Sequence, residues 1–282
     1  MEDKLRPLLI NALKEQLNGS NDVAILYSGG FDSFSCLCLC LEIGIMPHLY
    51  TFYLEGVDSH DIKKARSDSR VFNVPLTEVM ISNSYEGLKK DVYTLIEKLG
   101  TTRKTVIQCL HPMLHTIPLI KEKYVIAGIQ RGRPWGLNQK GTMAGYKGLE
   151  AFNEYRLSAI EAQKKGADNY ITMLVNEKHV CVKPYDDDAV DAWFMKREYK
   201  ELNSPHAKQP IVDEFAKELT RCEDKLKHAS YQVESGIREF HDLLLKDPLL
   251  NPNNEYKSVV GVYNNMQKLN MHQPNLFDYA QI

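Results

Sequence analysis

Leu5, Leu8, Leu9, Leu13 and Leu17 recur at three- and four-residue intervals among polar residues and predict an amphipathic helix over 3–17. The pattern then changes. Gly19-Ser20-Asn21-Asp22 is a loop, and Val23-Ala24-Ile25-Leu26-Tyr27 is a short continuous apolar run that reads as a strand. A second apolar stretch, Phe34 to Ile43, predicts a helix over 32–43, closed by Gly44. His48 to Leu54 reads as a second strand, 58–72 as a helix opened by Asp58-Ser59-His60-Asp61, and Leu76 to Ile81 as a third strand. Helices follow at 85–99 and 105–122, then a short, wholly apolar strand, Tyr124 to Gly128. Strands alternating with helices pair in parallel through right-handed crossovers, so the expected fold is α/β with a doubly wound parallel sheet.

From Ile129 to Gly148 no periodicity is visible, and the stretch reads either as a solvated loop or as a functional one in which Arg131, Arg133, Lys140 and Lys147 clamp a phosphorylated or nucleic-acid substrate and Trp135 and Tyr146 stack on it. Beyond it the pattern is helical, over 149–165, 167–177, 187–201, 208–228 and 233–246, before a Pro/Asn-rich turn and a polar tail. The division this implies is an α/β domain over 1–148 and a helical region over 149–282.

The chemistry concentrates between the first strand and the following helix, in Ser28-Gly29-Gly30-Phe31-Asp32-Ser33. Two glycines let backbone approach a ligand closely, and a helix N-terminus turns amide N–H groups and a partial positive charge towards an anion. Ser28 and Ser33 add hydroxyls, and Asp32 adds a carboxylate suited to a hard cation such as Mg²⁺. The turn therefore reads as a pyrophosphate cradle with a metal. It lacks the Lys-Ser/Thr pair of the Walker loop and the third glycine of the dinucleotide fingerprint.

Composition narrows the setting. Of 282 residues 43% are hydrophobic, enough for a sizeable core, and the net charge of −2 carries no general nucleic-acid signature. No apolar run reaches membrane-spanning length and Met1-Glu2-Asp3-Lys4 is no signal core, so a cytoplasmic protein without membrane contact is expected. The six cysteines contain no CxxC pair, and Cys36, Cys38 and Cys40 read as reduced, buried residues. His111 and His115 are four residues apart near Cys109, but Pro112 intervenes and no third ligand is evident, so packing is the expected role. Asp186-Asp187-Asp188 reads as a helix cap, and Lys63, Lys64 and Arg66 as a solvated helix face.

The Ser28–Ser33 hexapeptide resembles the SGGxDS loop of the ATP pyrophosphatases, which split ATP into AMP and pyrophosphate. Residues 20–245 are similar to the synthetase domain of asparagine and β-lactam synthetases: Phe31 stands for leucine in SGGLDS, and Lys208-Gln209-Pro210-Ile211-Val212 resembles the segment with the catalytic lysine. The resemblance implies an adenine nucleotide α-hydrolase-like fold, ATP and Mg²⁺ as cofactors, and a two-step reaction. A carboxylate is adenylated, and an amine or ammonia then displaces AMP. It further implies that Ser28, Gly29, Gly30, Phe31 and Ser33 hold pyrophosphate, that Asp32 holds the metal and that Lys208 neutralises the leaving group. Leu26 and Phe52, Tyr53 and Leu54 would hold adenosine, with Gly128 opening a second phosphate loop.

Three departures qualify this. The family's acidic second loop is here Gly128-Ile129-Gln130-Arg131-Gly132-Arg133, where Arg131 would contact phosphate in place of a second metal. The later "ExR" box is missing, with Val180 and Val182 in its place. No glutaminase domain precedes the first strand, so nitrogen would come from ammonia, a substrate amine or a separate amidotransferase subunit. Alternatives within the superfamily are tRNA or nucleobase modification by sulfur transfer or amidation, for which a nucleic-acid partner stays open. A non-catalytic nucleotide-binding module is the alternative outside it. A homodimer is also open.

Overall fold

The computed structural model describes residues 4–127, 135–164, 167–222 and 235–272. The sheet is five-stranded and all parallel, in the order β3-β2-β1-β4-β5. The strands are β1 (Val23–Leu26), β2 (His48–Leu54), β3 (Leu76–Ile81), β4 (Tyr124–Ala127) and β5 (Val180–Val182). Ala24 lies opposite His48 and Leu26 opposite Tyr50 on one side of β1, while Val23 faces Tyr124 and Leu26 faces Ala127 on the other. β1 and β4 are buried along their whole length, which is why both read as unbroken apolar runs.

The helices between the strands follow the expected periodicity: α1 (Leu5–Leu17), α2 (Phe31–Glu42), α3 (His60–Phe72), α4 (Tyr85–Leu99) and α5 (Lys104–Thr116). α5 stops at Thr116 and continues as a short 3₁₀ turn, Ile117–Leu119, rather than running to 122. After β4 come α6 (Gln139–Lys147), α7 (Leu149–Lys164) and α8 (Ala167–Val175), then β5 and α9 (Asp188–Met195), α10 (Tyr199–Asn203), α11 (Gln209–Glu214) and α12 (Ala216–Leu219). The last helices are α13 (Ile237–Asp242) and α14 (Val259–His272).

Further elements differ from the reading of the sequence, among them the expected helix over 187–201, which is split into α9 and α10. Residues 139–147 are helical, with the Asn138 side chain accepting from the Gly141 amide at 2.9 Å, although two glycines inside the helix weaken its pattern. β5 lies between two expected helices, where the pattern predicts no strand; its three residues are too few to display a period, and they add to the sheet edge by pairing Val125 with Cys181. The supposed polar tail contains α14, whose Val259, Val262, Tyr263 and Met266 are buried at helical spacing.

The chain divides into two compact units, one of residues 1–51, 61–78 and 120–228, the other of 52–60, 79–119 and 229–282. Most of the residues expected to form a separate helical region thus belong with the sheet, since β5 pairs with β4 and α1 packs on α9, α11 and β5. In the first unit, Leu9, Leu13, Ile25, Phe34 and Leu37 are fully buried, each removal from water contributing about 1.5–3 kcal/mol. In the second unit α4 packs on α5 and α14. There the Asp247 carboxylate accepts from the Tyr85 hydroxyl and from the Leu249 amide at 2.8 Å, and lies 3.5 Å from Lys89 Nζ.

Candidate functional site

The strand order fixes where a ligand can sit. From β1 the chain winds outward through β2 to β3, then returns to the opposite side of β1 as β4. The carboxyl ends of β1 and β4 therefore diverge at a topological switch point, the usual ligand crevice of an open parallel sheet. Ser28–Ser33 leaves β1 at that point. Gly128 and Arg131, expected in the loop leaving β4, lie outside the described residues.

The turn has the geometry its glycines anticipate. Gly29 holds φ +72°, and a Cβ there would come within 2.5 Å of Lys64 Cγ and 2.9 Å of its Cβ. Glycine is thus required twice, once for the left-handed backbone and once for the approach of α3. Gly30 is the N-cap of α2 and supplies no side-chain cap, and the first intrahelical bond runs from the Phe34 amide to the Gly30 carbonyl at 2.9 Å. The first turn of a helix points its amide N–H groups outward, the arrangement that suits an anion. The two serines brace each other: the Ser28 amide donates to Ser33 Oγ at 3.4 Å, Ser33 Oγ donates to the Gly30 carbonyl at 3.2 Å, and the Gly30 amide donates to Ser28 Oγ at 3.4 Å. One turn further on, the Tyr185 hydroxyl lies 2.6 Å from Ser35 Oγ, which donates to the Asp32 carbonyl at 2.8 Å.

Beneath the turn lies an ionic core that the sequence concealed. Lys64, expected on a solvated face, is 1% exposed and pairs with the equally buried Asp68, which also accepts from the Tyr27 hydroxyl at 2.6 Å. Burial, with Asp68 adding to it, drives the Tyr27 phenol well above its ordinary range, so Tyr27 stays a donor. This network fixes the residue immediately before the turn to α3, the helix on which Gly29 rests.

Lys208 is brought to Asp32 across 176 residues of chain, and their side chains form an ion pair. Lys208 is the N-cap of α11 with φ +58°, an unusual conformation for a residue with a side chain. Its amide donates to Asn203 Oδ1 at 3.2 Å, and the Asn203 amide group donates to the Trp135 carbonyl at 2.7 Å. The Lys208 ammonium stands 5.7 Å from the centre of the Trp135 ring. Trp135, expected to stack on a substrate, is instead fully buried, edge-on to Phe194 at 4.7 Å, and forms the wall behind the lysine. α11 is itself anchored: Glu214 at its end accepts from the Leu5 and Arg6 amides at 2.8 and 2.6 Å, capping α1. Arg6 clamps the Glu214 carbonyl and the Glu218 carboxylate, each at 2.6 Å.

The remaining expected residues fall as follows. Leu26 ends β1, buried, one residue before Tyr27, whose amide donates to the Tyr50 carbonyl at 2.8 Å. Phe31 is buried as the first residue of α2. Phe52, Tyr53 and Leu54 are the last residues of β2 and belong to the second compact unit. Asp187 caps α9, accepting from the Ala189 and Val190 amides at 2.9 and 3.2 Å, as expected for that acidic run.

Five of the six thiols are raised by burial. Burial pushes Cys36 and Cys38 far up and Cys40 to about 12. Cys222 is pushed to about 11 by burial and Asp68, and burial likewise raises Cys181.

No protein-family model matches this chain, and no curated protein matches it. Among solved structures, the chain is similar to a predicted subunit of a tRNA methyltransferase from Methanocaldococcus jannaschii, at 13% identity over 70% of this chain and 87% of that one, with a TM-score of 0.35. No helix of the described residues is long and apolar enough to cross a membrane.

Proposed function

We propose that this chain is an ATP pyrophosphatase that adenylates a substrate oxygen and passes the activated group to an amine. One observation carries the reading: a lysine from the far end of the first unit meets the acid of a serine-glycine turn at the switch point. That brings together the charges that splitting ATP between its α- and β-phosphorus requires. A nucleophilic oxygen attacks the α-phosphorus, the bond to the bridging oxygen breaks, and pyrophosphate leaves with the developing charge. The Gly29-Gly30 backbone and the hydroxyls of Ser28 and Ser33 would donate to that group, and Lys208 would neutralise it. In the second step an amine takes the activated group and AMP departs.

Mg²⁺ fits the donor set. It is commonly held by one or two carboxylates together with substrate phosphates, and Asp32 is a single, partly accessible carboxylate beside two serines. When bound, the ion would lower the charge on the phosphates, with Asp32 holding it. Before substrate arrives, Asp32 and Lys208 satisfy each other. With nucleotide bound, Lys208 would turn to the phosphate oxygens and Asp32 would be released to hold the ion.

A carboxylate is the substrate class this reading favours, with amide formation as the outcome. A second reading, adenylation of a tRNA or nucleobase oxygen, draws support from α6. There Tyr146 is exposed next to Tyr199, ring centres 5.4 Å apart, with Lys140 and Lys147 exposed on the same helix. Burial of five of the six thiols favours its amidation branch over sulfur transfer, which needs a reactive thiolate. Exchange of labelled pyrophosphate into ATP separates these readings. Exchange stimulated by a carboxylate panel supports the first, stimulation by RNA or nucleosides the second, and ATP binding without exchange a non-catalytic nucleotide module.

A further inference from the structure

The second unit holds a set of titratable side chains that nothing above employs. Asp91 on α4 lies against His111 and His115 on α5. Asp91 Oδ2 is 3.1 Å from His111 Nε2 and 2.7 Å from His115 Nε2. All three atoms lie within 4.8 Å of one another. We propose that Asp91, His111 and His115 form a binding site for a divalent transition-metal ion, zinc being the natural probe. The sequence hid it because the third ligand comes from a different helix, twenty residues upstream of His111.

The edges of the triangle suit one ion. Ligand atoms about 2.0–2.1 Å from a metal are separated by about 2.9 Å in octahedral and about 3.3 Å in tetrahedral geometry. The two shorter edges, 2.7 and 3.1 Å, bracket the octahedral spacing, and the third is no longer than 4.8 Å. Two imidazoles and one carboxylate suit zinc and the neighbouring first-row divalent ions better than Mg²⁺ or Ca²⁺, which prefer an all-oxygen shell. Pro112 does not disturb the pairing of the two histidines, since both rings reach the same carboxylate oxygen.

Behind the triangle stands a support of the kind metal-bound histidines use. His111 Nδ1 lies 3.0 Å from His241 Nε2, and His241 Nδ1 lies 2.6 Å from the Tyr263 hydroxyl. With a metal on His111 Nε2, the proton resides on Nδ1 and is donated to His241, whose own N–H is donated to Tyr263. This fixes tautomer and ring orientation. The His111 ring also stacks on Phe240 at 6.0 Å. His111 is fully buried whereas the His115 side chain is 36% exposed, so an ion can enter past His115. Three protein ligands with an open side are the arrangement of a site that binds a further molecule.

The test uses untagged, full-length protein stripped with a chelator and titrated with Zn²⁺ by calorimetry. A parallel Co²⁺ titration is followed by visible absorption. One equivalent is expected, with a cobalt band of low-coordinate nitrogen–oxygen ligation. His115→Ala, at a half-exposed position that folding tolerates, should abolish the band and the zinc uptake. His241→Phe should weaken zinc by roughly 10–100-fold while circular dichroism stays unchanged. Absence of uptake by the parent protein overturns the proposal. So does uptake that persists undiminished in both His115→Ala and Asp91→Asn, since the ion would then sit elsewhere.

Discussion

The Asp32–Lys208 pair is asymmetric, and the asymmetry makes a quantitative prediction. Lys208 keeps 5% of its side-chain surface and Asp32 keeps 20%. Asp32 also sits in the first turn of α2, where the helix terminus stabilises a carboxylate by about 0.3–1 kcal/mol. If the lysine is lost, the acid still has water and the helix end. If the acid is lost, a deeply buried ammonium remains beside the Trp135 ring with no counter-charge among the described residues. Breaking a buried pair from one side costs about 3–5 kcal/mol. Asp32→Asn is therefore expected near the lower end, at about 3 kcal/mol, because the amide oxygen can still accept from the lysine. Lys208→Met keeps most of the buried stem and is expected to cost about 1–2 kcal/mol. The double substitution should be more stable than Asp32→Asn alone, which requires a coupling larger than the cost of Lys208→Met, about 2–3 kcal/mol. Urea unfolding at neutral pH reads all four corners of the cycle. Strict additivity, or Lys208→Met costing more than Asp32→Asn, would refute the reasoning. The same Lys208→Met protein should form pyrophosphate about 100–1,000-fold more slowly, the usual loss when one stabiliser of developing charge is removed.

Other outcomes follow from the same geometry. Gly29→Ala should abolish ATP binding in equilibrium titration and lower stability by about 1–3 kcal/mol, because φ +72° and the contact with Lys64 both oppose a side chain. Replacing Cys109, Cys181 and Cys222 with serine should leave pyrophosphate formation unchanged; a loss would revive sulfur transfer. In the second unit, burial alone would raise Asp247, but the Tyr85 hydroxyl, the Leu249 and Leu250 amides and Lys89 outweigh it and hold the acid below its ordinary value. A depressed carboxylate stabilises the fold above its unfolded pKa and loses that contribution as pH falls through the folded one. The stability deficit of Tyr85→Phe should thus be full at neutral pH and shrink on acidification below about pH 4, read by thermal unfolding across pH; a deficit independent of pH would contradict the assignment.

How much of this was legible in the sequence depends on whether the signal was local. β1 and β4 announce themselves because a strand buried on both faces must be apolar throughout, and the strand-to-helix turn at Ser28–Ser33 because two glycines separate two apolar runs. α6 was obscured by Gly141 and Gly145, which a helix tolerates here because Gly136 and Tyr199 crowd against them. Lys64 looked solvated because its partner Asp68 is only four residues away on the same helix, a spacing that surface pairs share. Whether that face is buried depends on what packs against it. Trp135 resembled a stacking platform, yet its burial next to Lys208 depends on contacts with Phe194 and Asn203, about sixty residues later in the chain. The Asp91, His111 and His115 triangle needed two helices to be laid side by side before its third corner was visible. In each case what was missing was a long-range partner.

The most direct test of the central claim is the product of Mg-ATP turnover, resolved by chromatography across carboxylate, amine, nucleoside and RNA panels, with Asp32→Ala as the blank. Equal amounts of AMP and pyrophosphate, formed only with a cognate substrate and lost in the blank, are the predicted result. ADP and phosphate as the products would contradict it.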